Sequence, residues 1–411
     1  MLVVKFGGTS LADRERLERV AAIIAGREGP VVAVVSAIGK TTDRLLDAGR
    51  LAEGADPLAA SATVQALREA HRAAAPDDAR LQGLLDGLFA ELSSILEGVR
   101  LLREQTPRSL ALLSSFGERL SAPLMASLVE GGEAMDAREL IVTSPEPLSA
   151  QVHLDVSRER VRKRLLPLLE AGRIPIVTGF LGASPEGLTT TLGRGGSDYT
   201  ATLLGAFLDA DAIDIYTDVD GVLTADPRLV PDARTLSQVT YREAAEMSYF
   251  GAKVLHPRTI QPAASASIPV RVRSSFEPER GGTLIASEAP PSETGVKTVT
   301  SVRDQALVTI DGRGMAGIPG VARRIFEASE LSGVNVVMIS QASSEQTVSL
   351  VVSAASAPEL CAALEERFAP ELAQGTIESI AITSQVAVLS IIGEGMAGRP
   401  GIAGRLFASL G

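Results

Sequence analysis

Short runs of apolar, β-branched residues alternate with longer segments whose apolar positions recur at three- and four-residue intervals through roughly the first 285 residues. The short runs predict strands at Leu2 to Phe6, Val31 to Ser36, Ile174 to Gly179 and Ile213 to Thr217. The longer segments predict helices over Asp13 to Ala25, Arg80 to Leu102 and Leu110 to Val129, the last with Pro123 as a point of bending. Alternation of this kind describes βαβ units around a largely parallel sheet.

The pattern breaks at Ser287 to Lys297, SEAPPSETGVK, where Pro, Ser and Glu replace the apolar periods. This marks a linker, 287–297, after a first domain spanning 1–286. Beyond it, GMAGIPGVARRIF at Gly314 to Phe326 returns as GMAGRPGIAGRLF at Gly395 to Phe407, an offset of 81 residues. Each copy follows an apolar strand, Ala306 to Ile310 and Val386 to Ile392. The first copy continues through strands Asn335 to Gln341 and Thr347 to Ser353 and a helix Pro358 to Phe368, giving a β-α-β-β-α-β module over 298–383. The second, 384–411, stops after its first helix. Half a module cannot bury its own apolar face, so it is expected either to lean on the first copy or to belong to a longer protein.

Composition narrows the function classes. Length 411 with 45% hydrophobic and 22% charged residues describes folded globular domains. A net charge of −11 disfavours nucleic acid and anionic membranes as partners, and 3% aromatics without Trp leaves few platforms for stacking bases. Cys361 is the only cysteine, which excludes an intrachain disulfide and a thiolate zinc cage. The N-terminus opens directly on Leu2-Val3-Val4-Lys5, without the regions of a signal peptide, and no apolar run reaches membrane-spanning length, so a cytoplasmic location is the expectation.

Six polar segments carry candidate chemistry. In TTTLGRGGSDYTA, Thr189 to Ala201, glycines 193, 195 and 196 open backbone N–H groups to an anion, Arg194 can grip a carboxylate or phosphate, and Asp198 can hold an ammonium or orient a lysine or Mg²⁺. KFGGTS places Lys5 at a strand end before Gly7 and Gly8; it is either a phosphate site or a lysine snorkelling to the surface. Ser36, Thr41 and Thr42 at the end of the next strand either meet a substrate carboxylate or cap a helix. Glu118 sits in a helical pattern beside Leu113, Phe116 and Leu120, as a partner for a substrate ammonium or for a neighbouring cation. Finally, Thr217 and Asp218 end a strand and Asp226 and Arg228 follow, which suits a nucleotide crevice, while Gly251 to Pro257 supplies Lys253 and a structural His256.

Two short motifs are rejected. Gly39-Lys40-Thr41 ends like a Walker loop, but Val34 stands where its upstream glycine belongs. Gly312 to Gly317 and Gly393 to Gly398 match G-x-G-x-x-G, yet the first copy's next strand ends at Ser340-Gln341 without the acidic residue that would hold a ribose.

Taken together, KFGGTS, the Ser36 loop, FGERLS, TTTLGRGGSDYTA, TDVDGV, TADPR and GAKVLHP, in this order, resemble the aspartate kinases of the amino acid kinase family. The resemblance implies an α/β fold: an αβα sandwich followed by ferredoxin-like ACT regulatory modules. It implies transfer of the γ-phosphate of ATP, carried with Mg²⁺ on the nucleotide and with no protein metal site, to L-aspartate. On that pattern Lys5, Asp198 and Lys253 are catalytic, and Thr42, Glu118, Arg194 and Ser197 hold the substrate. The nucleotide side comprises Lys5, Gly7, Gly8, Ser36, Thr217, Asp218, Asp226, Arg228 and Lys253, with Leu223 where many relatives carry an aromatic or Met near adenine. Gln341 to Glu345 resembles the threonine-sensitive kinases, many fused to a homoserine dehydrogenase, so threonine is the favoured effector and lysine the other candidate, at Asn335, Ile339 and Gln341. A homodimer or larger homo-oligomer through the ACT modules is implied. Kinases for glutamate, acetylglutamate or UMP, and a catalytically silent amino-acid sensor, are the competing readings.

Overall fold

The computed structural model describes residues 1–54, 56–250, 255–315 and 317–411. Two units are distinct, one of Met1–Thr298 with Gly393–Gly411 and one of Val299–Ile392.

The first unit runs β1 (Leu2–Phe6), α1 (Arg14–Ala25), β2 (Val31–Val35), α2 (Thr41–Glu53), α3 (Pro57–Ala74), α4 (Ala79–Leu102), α5 (Pro107–Leu128) and β3 (Gly132–Met135). It continues through α6 (Leu154–Glu170), β4 (Ile174–Thr178), the hairpin β5 (Leu181–Ala183) and β6 (Thr189–Thr191), α7 (Gly196–Leu208) and β7 (Ala212–Thr217). Last come β8 (Gln238–Thr240), α8 (Tyr241–Tyr249), α9 (Pro257–Ser265), β9 (Val270–Ser274) and β10 (Thr283–Ala286). The eight-stranded sheet has the order β3-β4-β2-β1-β7-β9-β10-β8. Its pairs are parallel except β9 with β10.

Period-two alternation along β1 sorts its side chains between two layers. Val4 and Phe6 join Ala33 and Val35 of β2, Leu17, Val20 and Ile24 of α1, and Leu124 and Met125 of α5 in one core. Lys5, between them, faces the opposite layer and meets α7. In α4, Leu81, Leu85, Phe89, Leu92, Leu96 and Val99 recur at intervals of three and four and are buried against Leu45, Val64, Leu67, Leu113 and Phe116. Each full burial of such a side chain stabilises the fold by about 1.5–3 kcal/mol. Helix α5 passes through Pro123 without ending there.

The second unit contains β11 (Thr298–Asp311), α10 (Val321–Leu331), β12 (Met338–Gln341), β13 (Thr347–Ser353), α11 (Ala357–Arg367), the short α12 (Ala369–Ala373) and β14 (Ser379–Ile392), with sheet order β12-β13-β11-β14. Alternate residues Ala306, Val308 and Ile310 of β11 and Val348, Leu350 and Val352 of β13 pack on Ile325 and Ala328 of α10 and Leu360 and Leu364 of α11. The strand expected from Asn335 begins at Met338. Cys361 lies half-buried on α11 as a free thiol. The strand of the second sequence copy, β14, is the edge of this sheet beside β11. The rest of that copy, including α13 (Ile402–Leu410), groups with the first unit.

Candidate active site

Three strand ends and three helices, α2, α5 and α7, of the first unit bring the candidate side chains together. A cavity of about 280 Å³ is lined by Lys5, Ser36, Thr42, Glu118, Phe180, Gly193, Gly195, Gly196, Ser197 and Asp198. It lies at the C-terminal ends of β1, β2 and β4, where parallel sheets form ligand crevices.

Lys5 Nζ stands 2.6 Å from Asp198 Oδ1, with only 11% and 15% of the two side chains exposed. Asp198 is in the first turn of α7, where the helix dipole also favours a carboxylate. The turn before it requires glycine: Gly193 and Gly195 have φ of +76° and +68°. A Cβ on Gly8 would fall 2.8 Å from the carbonyl oxygens of Ala37 and Gly39, so the loop after β1 can touch the loop after β2 only without a side chain there. Gly7 donates its N–H to Tyr216 O at 3.2 Å, which ties the Lys5 loop to the end of β7.

Glu118 is buried at 4% exposure in α5. One oxygen accepts the Ala37 N–H at 3.1 Å, and the other, Oε2, has no partner among the described residues. Gly117 permits this approach, since a Cβ there would lie 2.6 Å from Ala37 Cβ and 3.0 Å from Thr42 Oγ1. Burial pushes the Glu118 carboxyl up to about 8; the Ala37 N–H and the positive charge of Lys5 pull the other way. The Lys5–Asp198 ion pair, a glycine-rich loop and an unpartnered carboxyl oxygen in one cavity suit a ligand carrying both an ammonium and an anionic group.

The other expected residues are placed as follows. Arg194 is exposed on the glycine turn, between two lining glycines but not itself in the lining. Thr217 Oγ1 donates to Asp218 Oδ1 at 3.1 Å just past β7. Arg228 is engaged by Asp226, Nη2 to Oδ2 at 2.6 Å, on the exposed excursion before β8. Lys253 lies outside the described residues. His256 caps α9, its Nδ1 accepting the Arg258 N–H at 3.3 Å. Asn335, Ile339 and Gln341 belong to the second unit, exposed on or just before β12. Among the described residues no group of three or more His, Cys, Asp or Glu side chains gathers to hold a metal ion. No helix among them is long and apolar enough to cross a membrane.

Phe180 and Gly179 were not expected. Phe180 has a left-handed backbone at φ +69°, and its N–H donates to Thr200 Oγ1 at 3.1 Å. A Cβ on Gly179 would sit 2.6 Å from Ser197 Oγ, so this glycine makes room for Ser197. The only trace in the sequence is the Gly-Phe pair after an apolar strand.

A model of the amino acid kinase family matches residues 1–274, and one of the ACT domain matches 308–368. The chain belongs to the amino acid kinase family, and carries an ACT domain after the kinase domain. Relatives matched along nearly its whole length include bifunctional aspartokinase/homoserine dehydrogenases. It is 36% identical to the chloroplastic bifunctional aspartokinase/homoserine dehydrogenase 2 of Arabidopsis thaliana, over 99% of this chain and 46% of that one. It is 34% identical to the bifunctional aspartokinase/homoserine dehydrogenase of Haemophilus influenzae, over 100% of this chain and 52% of that one. The chain thus spans about half the length of the curated relatives it matches. Among solved structures, aspartokinase III of E. coli with aspartate and ADP superposes with a TM-score of 0.84 at 30% identity, covering 100% of this chain and 91% of that one. The same enzyme with lysine and aspartate gives 0.75 at 32%, with the same coverage.

Proposed function

We propose that this chain transfers the γ-phosphoryl group of ATP to the side-chain carboxylate of L-aspartate, giving 4-phospho-L-aspartate and ADP. That is the opening step toward lysine, threonine and methionine. The observation that carries this reading is the pairing, in one cavity, of the Lys5–Asp198 ion pair with the free Oε2 of buried Glu118.

The acceptor carboxylate is ionised near neutral pH, so the attack requires no general base. Catalysis reduces to holding the two reactants in line and offsetting charge that spreads over the phosphoryl oxygens. Lys5 would supply positive charge from one side, steered by Asp198, and the N–H groups of Gly8 and of the α7 N-terminus would add fixed dipoles, while Gly7, whose N–H is taken by Tyr216 O, would leave room for the nucleotide by its lack of a side chain. Lys253 would be the second ammonium. Mg²⁺ would travel on the nucleotide phosphates and neutralise them. Ser36, Thr217, Asp218, Asp226 and Arg228 would lie on the nucleotide side, Arg228 after release from Asp226.

Glu118 would bind the substrate ammonium, with Thr42, Ser197 and Arg194 on its carboxylates. An acylated amino acid or UMP has no ammonium to offer Glu118, which favours a free amino acid as acceptor. ADP release with ATP, Mg²⁺ and aspartate, glutamate, acetylglutamate or UMP as acceptor tests the reading. Aspartate is expected to be the productive acceptor, and faster release with any of the others overturns it.

The ACT domain would take an end-product amino acid at Asn335, Ile339 and Gln341, with threonine favoured and lysine the alternative. Calorimetry with each distinguishes them, heat with lysine alone reversing the order. The chain would act in the cytoplasm as a homodimer or larger homo-oligomer.

A further inference from the structure

Glu243, in the first turn of α8, has a side chain only 2% exposed, and three different groups converge on it. Its Oε2 accepts the Thr240 N–H at 2.9 Å, closing a capping box, and the Lys297 ammonium at 2.7 Å. Its Oε1 accepts the Glu394 N–H at 2.9 Å. A capping box uses one carboxylate oxygen; here the second oxygen and the charge go elsewhere.

Their destinations are not arbitrary. Residues 299–392 form the second unit, so Lys297 is two residues before the chain enters it and Glu394 two residues after the chain returns. Both passages are therefore held, on the kinase side, by one buried carboxylate. The same stretch is fixed at further points: Lys297 Nζ donates to Gln238 O at 3.3 Å, Thr298 Oγ1 to Leu223 O at 3.0 Å, and Arg399 Nη1 to Glu293 O at 2.6 Å. Where the segments just before Thr298 and just after Ile392 touch, Gly295 adopts φ +82° and a Cβ on Gly393 would fall 2.2 Å from Gly295 O.

We propose that Glu243 is a positioning residue that couples the state of residues 299–392 to helix α8 of the kinase unit and thereby to turnover there. A buried carboxylate and ammonium, 2% and 4% exposed, resist separation, because either one left alone in a low-dielectric interior is strongly disfavoured. A shift of the linker must then carry α8 with it. The effect on turnover rests on the kinase reading above, but the coupling itself does not.

The test is a cycle of variants in the full chain read by hydrogen exchange in α8. Leu350→Ala, in the core of the second unit, perturbs that unit without touching the kinase side. E243Q alone would strand the Lys297 ammonium, so the coupling is removed with E243Q/K297M, which leaves no buried charge. Leu350→Ala is expected to speed exchange of the α8 amides about threefold or more in the otherwise unaltered chain, and by less than about 1.5-fold in the E243Q/K297M background. Equal acceleration in both backgrounds, or none in the first, overturns the proposal, since a residue that merely caps α8 would change its exchange without changing its response to Leu350→Ala. Failure of the aspartate assay with an intact exchange cycle would instead count against the kinase reading alone.

Discussion

Lys5 Nζ and Asp198 Oδ1 are 2.6 Å apart although 193 residues separate them, because a strand position facing one layer meets the first turn of the helix that covers it. If this ammonium offsets phosphoryl charge, Lys5→Ala should lower kcat about 10²–10³-fold or more, the magnitude seen when one preorganised charge-stabilising group is removed. ADP release with ATP and aspartate measures it, and near-normal turnover would refute the role. Asp198→Asn keeps the shape but loses the charge that steers Lys5, and should fall between wild type and Lys5→Ala.

Glu118 gives a pH signature. Its carboxyl is pushed up to about 8 by burial, so near neutral pH the free site holds a proton that an arriving ammonium must displace. Substrate KM should therefore fall as pH rises toward about 8, by up to tenfold per unit, and Glu118→Gln should flatten that slope while raising KM. The sign for stability is opposite. A carboxyl that titrates higher when folded favours the fold fully below its ordinary value of 4.5, and that contribution is lost as pH rises through about 8. A KM profile unchanged by Glu118→Gln would remove Glu118 from the ammonium site.

Much of this site is readable in the chain, and the remainder is hidden for identifiable reasons. Lys5 and Glu118 each stand within an apolar pattern, where a charge is a local signal, and Asp198 is marked by the glycine loop that precedes it. The strand Leu2–Phe6 carries its own β-branched run and forms where expected. Phe180 has no such mark: its left-handed backbone follows from the tight turn between β4 and β5, a tertiary circumstance. Strands of three or four residues such as β8 and β10 exist through pairing with distant partners and have no periodicity of their own. The Asp226–Arg228 pair is likewise invisible to a motif that reads each residue as a ligand for nucleotide.

Two glycines should respond in opposite directions to alanine. Gly8→Ala places a methyl 2.8 Å from two backbone carbonyls, neither of which can rotate away. It should destabilise by about 1–3 kcal/mol and depress turnover by moving the Lys5 loop. Gly83, in the second turn of α4, has open space where its Cβ would go, so Gly83→Ala should stabilise by about 0.5–1 kcal/mol with activity unchanged. Denaturant midpoints at constant slope distinguish the two.

His71 makes the fold itself sensitive to acid. It is 1% exposed on α3, with Nδ1 2.7 Å from Leu67 O, the Phe89 ring edge-on at 5.7 Å and Nε2 without a partner among the described residues. Burial holds its pKa below the ordinary 6.5, the Leu67 carbonyl opposing only in part, so the ring is neutral in the folded state. The unfolded chain then takes up a proton near pH 6.5 that the folded chain does not, and stability must fall as pH drops below that value. A Leu at this position cannot titrate and fills similar space, so His71→Leu should flatten the unfolding midpoint between about pH 6.5 and 5, where wild type declines. A decline of equal steepness in both would assign the acid sensitivity to other groups.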